Sequence, residues 1–331
     1  MMMKSCFASV LALFLWSGSV RVEAVERDMT VVTVVGAAGA EQYEQEFVKL
    51  AKSWRQACED AGVRLVEVGG DQAADGKGDR QRLKQVLASE IERGSSSLWL
   101  VLIGHGTFDG RETKFNVRGA DFTEKDLAQW LQTYKGELVV VNTASSSAPF
   151  IKALSGKDRV VITATKSAHE IFYPRFGGYF ASAIGGLEAA DLDNDEQVSL
   201  LEAFLYAGHE VKAFYEKEGR IATEHALLDD NGDQQAVRME GFVGVLAARS
   251  KDKKARENPD GERAHQIHLV PNPLEALMPE DLRRKRDALE LKVKALRRQK
   301  GEMDEEPYYE ALEKLLLEIA RIYETVEAAQ D

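Results

Sequence analysis

The sequence predicts an α/β protein, a three-layer domain around a parallel sheet followed by an α-helical hairpin. Three observations predict it. From Thr30 onward, runs rich in Val, Ile and Leu alternate with amphipathic helical patterns, the arrangement of a parallel sheet covered on both faces. Residues 248–265 are then almost wholly polar and carry Pro and Gly, as an exposed linker does. Beyond them, Leu282, Leu289, Val293 and Leu296, then Leu312, Leu315, Ile319, Ile322 and Val326, keep the spacing of two antiparallel helices. These shifts set the boundaries: a sheet domain over 28–250, a charged linker over 251–270 and a hairpin over 271–331.

The chain opens with Lys4, an apolar run from Cys6 to Trp16 and Val22-Glu23-Ala24, the pattern of a cleaved export signal over 1–24. That run is about half of what a membrane span requires. The protein is therefore expected to be secreted or periplasmic, with no membrane span after signal cleavage. Cleavage leaves Cys58 alone, so no intramolecular disulfide forms. Cys58 shares an apolar face with Phe47, Leu50, Ala51 and Trp54 in a helix over Glu41–Ala61, which makes it a packing residue. Further helices are expected over Gln81–Arg93 and Phe122–Tyr134, the latter capped by Thr123. The strands fall at Thr30–Val35, Val63–Val68, Ser97–Gly104, Glu137–Asn142 and Arg159–Thr165. A net charge of −12 argues against a nucleic-acid partner, which needs a basic footprint.

Chemistry in such sheets sits beyond the carboxyl ends of the strands. Those ends read IGHGTFDG, NTASSSAPF and ATKSAHE, all small, polar or glycine-rich. His105 lies between Gly104 and Gly106, where the backbone turns tightly and the Gly106 amide is available to an oxyanion. Ser145 follows forty residues later, three beyond the next strand, with one helix between. The two strands are then neighbours, and His105 and Ser145 share one rim, the geometry covalent acyl transfer requires.

A strand ending in His105-Gly106, a helix, and a second strand ending in Thr143-Ala144-Ser145-Ser146-Ser147 resemble the caspase and legumain superfamily of cysteine peptidases. Legumain-type members typically read Glu-Ala-Cys-Glu-Ser-Gly at the second strand end. Ala144 and Ser147 match that pattern, and Ser145 stands where the cysteine is expected. The run Arg159–Gly186 is similar to the following strand and aromatic-glycine helix, so the resemblance spans about Thr30 to Ala247. It implies a caspase-like fold and a peptide or protein ligand. Serine, unlike cysteine, needs an adjacent base, and neither Asp109 nor Glu112 is placed behind His105 as a third member of a triad. Three readings follow. One is an inactive peptidase fold that binds peptides. A second is an active endopeptidase with Ser145 as nucleophile, His105 as acid/base and the amides of Gly106 and Ser145 as oxyanion hole. The third is an assembly protein that self-associates through its C-terminal helices.

A separate signal is DLDNDEQVSLLEAF. Asp191, Asp193 and Asp195 occupy positions 1, 3 and 5 of an EF-hand-type loop, the Gln197 carbonyl position 7, Ser199 position 9 and Glu202 position 12. Position 6, usually glycine, is Glu196. The pattern predicts a Ca2+ site. Asp229, Asn231 and Asp233, with Glu240 at position 12, repeat the spacing, but Val237 cannot ligate at position 9. That stretch reads either as a second ion site or as a glycine turn at Asn231-Gly232.

Overall fold

The computed structural model describes residues 27–70, 78–247 and 257–328. The expected signal, residues 251–256 of the linker and 329–331 of the hairpin lie outside them. The strands are β1 (Met29–Val35), β2 (Arg64–Gly69), β3 (Ser97–Ile103), β4 (Gly106–Phe108), β5 (Thr113–Phe115), β6 (Phe122–Thr123), β7 (Glu137–Asn142), β8 (Arg159–Thr163) and β9 (Leu227–Asp229). Six of them form one sheet in the order β2-β1-β3-β7-β8-β9. Its pairings are parallel except for β9, which runs antiparallel at the edge.

Both faces of this sheet are covered, which is why the central strands β1, β3, β7 and β8 are buried along nearly their whole length, while the edge strand β2 carries the partly exposed Arg64 and Glu67. Helices α1 (Glu41–Asp60), α5 (Phe176–Ile184) and α6 (Leu200–Lys217) pack on one face, and α2 (Asp79–Arg93), α3 (Glu124–Trp130) and α4 (Pro149–Leu154) on the other. The strand side chains divide by parity. Trp99, Val101 and Ile103 join the α1 side, and Leu98, Leu100 and Leu102 the α2 side. Cys58 is buried on the α1 face, and that burial pushes its thiol up to about 12, so it is inert at neutral pH.

Two segments differ from expectation. The helix starting at Thr123 has the expected cap, a reciprocal box with Asp126, but ends at Trp130. Tyr134 lies beyond it, and its hydroxyl donates to the Ser95 carbonyl. Residues 257–270 pack on the domain instead of lying exposed: Asp260, Ala264, Ile267 and Leu269 are buried. Their polarity is compatible with burial because it is paired. Asp260 accepts from the Asp230 amide, Asp230 accepts from Gly261 and Ala264, and Arg263 bridges Asp158 and Glu137.

The last two helices, Glu280–Gln299 and Glu305–Ala328, form the expected hairpin. Arg286 meets Tyr323 and Lys300 meets Tyr309, the pairing of antiparallel partners. Leu289, Ile322 and Val326 are buried between them, with Leu282, Leu315 and Ile319 packed alongside.

Candidate active site

The expected rim exists. β3 pairs with β7 in parallel, with Leu102 opposite Asn142, and the Thr143 amide donates to the Leu102 carbonyl. The chain then leaves both strands at the same carboxyl edge, which carries His105 and Ser145 to one place.

His105 keeps the parity of Ile103 and turns to the α1 side. Its ring sits among Tyr43 (4.5 Å between centroids, edge-on), Phe47 (5.2 Å) and Tyr173 (5.4 Å). Tyr43 and Phe47 are one helical turn apart on α1, so one helix face supplies both walls. Burial within this box lowers the imidazole pKa, partly offset by a bond from Nε2 to the Ala38 carbonyl at 3.2 Å. A carbonyl oxygen only accepts, so Nε2 carries the proton and Nδ1 is the basic atom of a neutral ring. The group orienting His105 is thus a backbone carbonyl; no carboxylate occupies that role among the described residues.

Ser145 is 2% exposed. Its bonding follows from the small antiparallel sheet β4-β5-β6 that the chain builds directly after His105. The Asn116 amide donates to the His105 carbonyl. In an antiparallel ladder the adjacent pair, Gly106 with Phe115, is then the one that exchanges no bonds. The Gly106 N–H and C=O therefore point away from β5, and Ser145 satisfies both. The Gly106 N–H donates to Ser145 Oγ at 3.1 Å, and the Ser145 hydroxyl donates back to the Gly106 carbonyl at 2.9 Å. A Cβ on residue 106 would lie 2.1 Å from the Ser145 carbonyl oxygen, so only glycine allows this approach. The amide expected to be free for an oxyanion is occupied by the serine hydroxyl.

The rest of the turn is held as firmly. Ser146 adopts a left-handed φ of 54°, and its amide donates to the Glu170 carbonyl at 2.8 Å. Ser147 bonds Thr165 at 3.0 Å. Glu170 also holds His225, Oε1 to Nδ1 at 2.5 Å. The Tyr43–Phe47–Tyr173 box and this Glu170–His225 pair are site features that sequence reasoning missed. The turn spacing of Tyr43 and Phe47 was the one available signal for them.

The acidic loop brings together part of its expected set. Carboxylate oxygens of Asp191, Asp193 and Asp195 lie within 4.8 Å of one another. Glu196 takes a left-handed φ of 68°, the conformation glycine usually supplies at position 6. The donor set and turn thus suit a hard cation. Burial, then Gln197's bond against it and the charges of Asp193 and Glu202, leave the Asp195 carboxyl raised, whereas the His265 bond leaves Asp193 lowered. Glu202 is turned elsewhere: Oε1 accepts from the Leu192 and Asp193 amides and Oε2 from Ser199, in a reciprocal cap of α6. The Gln197 side chain bridges Asp195 and the Asn272 amide. In the second loop, Asp229 faces Ser155 and the Gly232 amide, Asn231 accepts from Asp233, and Glu240 pairs with Arg238. These groups make local turns.

The described site is thus a histidine and a serine on adjacent strand ends of an α/β sheet. The chain is similar in fold to solved structures of caspase-type peptidases. The Drosophila initiator caspase Dronc is 14% identical over 66% of this chain and 84% of its own, with a TM-score of 0.40. Caspase-1 from Spodoptera frugiperda is 6% identical over 63% and 88%, with a TM-score of 0.40. A secreted cysteine protease from Bacteroides thetaiotaomicron, solved with an irreversible peptide inhibitor, is 10% identical over 65% and 67%, with a TM-score of 0.41. No protein-family model and no curated protein matches the sequence.

Proposed function

We propose that this is an exported, legumain- or caspase-type peptidase-fold protein that binds a peptide or protein segment at the strand-end rim without hydrolysing it. The observation that carries this reading is the closed pair of bonds between Ser145 and Gly106. To attack a carbonyl, Ser145 must give up its donation to the Gly106 carbonyl, and a neutral His105, with no carboxylate behind it among the described residues, must then take the proton. The donor that an oxyanion would need is filled by the same hydroxyl. Ser145 is a structural clasp in the position of a nucleophile. The test compares the wild type with Ser145→Cys and Ser145→Ala on a peptide library, alongside labelling by a fluorophosphonate. No labelling and no turnover in the wild type, with turnover only in the cysteine variant, is the expected result. Turnover by the wild type that Ser145→Ala abolishes would establish a working serine peptidase instead.

Three further parts of the reading have their own supports. The converging Asp191, Asp193 and Asp195 carboxylates would hold Ca2+, a hard cation that takes oxygen ligands and would relieve their mutual repulsion. Export rests on the N-terminal pattern through Ala24, and the N-terminal sequence of secreted material checks it. Self-association rests on Leu316, Leu317 and Tyr309, exposed on the last helix, and light scattering on the purified chain reads it directly.

A further inference from the structure

A groove of about 850 Å³ runs from the strand-end rim down between α1, α5 and the C-terminal end of α6. It is continuous with the His105 site, because Tyr43 and Tyr173 line the groove and also touch His105. Two features set it apart from the rest of the surface. The first is aromatic: Tyr179 and Phe214 line the groove, and Phe172 stands at its lip with 65% of its surface exposed, next to Ile171 at 62%. Exposed apolar side chains placed together beside a groove mark an interaction site. The second is charge. The chain carries −12, yet Lys49, Arg175 and Arg220 all face this groove. Lys49 and Arg220 form no ion pair with any described residue, and the Arg175 guanidinium is held 3.8 Å over the Phe214 ring. Glu224, close behind Arg175, is buried and spent on the Arg175 and Phe176 amides and Tyr215. Among the described residues that line the groove, Glu46 is the one carboxylate beside Lys49, Arg175 and Arg220.

We infer that the groove is a docking site for an acidic, aromatic- or leucine-bearing segment of a partner polypeptide, which continues from the rim over α1 and α5. This rests on the reading of the rim as a peptide site and adds what the peptide must carry. Its apolar side chains would cover Phe172, Tyr179 and Phe214, and its carboxylates would meet Lys49, Arg175 and Arg220. Complementary charge at a rim sets specificity and encounter rate, and it is screened by salt.

The test is fluorescence anisotropy on the full chain with a labelled peptide in which Glu alternates with Leu and Phe, and with the same peptide carrying Gln for Glu. Lys49→Glu/Arg220→Glu reverses exposed charges and leaves the fold intact, which circular dichroism verifies. The expected result is tighter binding of the Glu peptide, an affinity about tenfold lower in the double variant, and weakening with added salt. Equal binding of both peptides, unaffected by the double variant, would overturn the groove and leave the rim reading standing. Binding of neither peptide would remove both. If the chain instead crosslinks to a second copy through this groove, and the double variant abolishes that, the occupant is the chain itself and the proposal fails.

Discussion

If Ser145 is a clasp, removing its hydroxyl must weaken the fold. Ser145→Ala deletes the acceptor of the Gly106 N–H and the donor to the Gly106 C=O, bonds of 3.1 and 2.9 Å. Each net bond contributes about 1 kcal/mol, and a buried group left unpaired costs about 1–3 kcal/mol. Neither Gly106 group has a second partner in the β4–β5 ladder, and both Ser145 and Gly106 are buried. Alanine leaves the space of one hydroxyl, too small for a water to reach the freed N–H and C=O. Two such unpaired groups sum to a loss of about 2–6 kcal/mol, or a fall in Tm of about 4–24 °C for a domain of this size. Urea unfolding followed by the fluorescence of buried Trp54 and Trp99 measures it. A nucleophile behaves in the opposite way. Catalytic groups are held at the expense of stability, so their removal is commonly neutral or stabilising. An alanine variant as stable as the wild type would refute the clasp and return Ser145 to the list of candidate nucleophiles.

Further expectations use other parts of the structure. Gly106→Ala forces a Cβ to within 2.1 Å of the Ser145 carbonyl oxygen, so β4 must shift; about 1–3 kcal/mol is lost, read in the same unfolding assay. Asp260 and Asp230 are buried carboxyls that share a hydrogen bond, and burial raises both, Asp260 to about 8, with Asp229 and Asp233 adding repulsion. A folded pKa above the unfolded value of about 3.9 gives stability that is complete below about pH 4 and lost as pH rises toward 8, at up to about 1.4 kcal/mol per pH unit. Asp260→Asn keeps an acceptor and a donor in place, so its melting temperature should lose less than the wild type's between pH 5 and 8. Arg286→Ala leaves buried Glu275 without its partner and should cost about 3–5 kcal/mol, seen as early melting of the C-terminal helices by circular dichroism. Calcium at about a hundred times its Kd should raise stability by about 2.7 kcal/mol over the chelated protein, and equal melting temperatures would count against the acidic loop.

What the sequence makes legible divides by range. The five parallel strands were legible because each repeats one local rule, whereas the three-residue antiparallel β9 was not, and the rim was legible because a helical crossover makes β3 and β7 neighbours. His105 and Ser145 could be placed together from that alone. Their bonding could not. It depends on β4, β5 and β6, strands of three, three and two residues, too short for any alternation to register. The box around His105 needs α1 and the 171–175 loop to meet, which no local pattern encodes. Residues 257–270 misled in a different way: their polarity is that of a linker, and only pairing with Asp230, Asp193 and Glu137 makes their burial affordable.

The identity of residue 145 can be argued from the clasp itself. A hydroxyl is both a good donor and a good acceptor at 2.7–3.1 Å, so one atom can close both bonds to Gly106 in the space available. A thiol is a weak donor and a weak acceptor with longer contacts, and it would leave the same N–H and C=O poorly satisfied. In that environment serine is the better structural residue and cysteine the better nucleophile. The amide that a cysteine would leave open to an oxyanion is closed by a serine. In the reading proposed here, a serine at this position would do two things at once: it would offer no reactive thiolate, and it would fill the donor that an oxyanion needs. Ser145→Cys would change both together, which makes that variant the most informative one for this site.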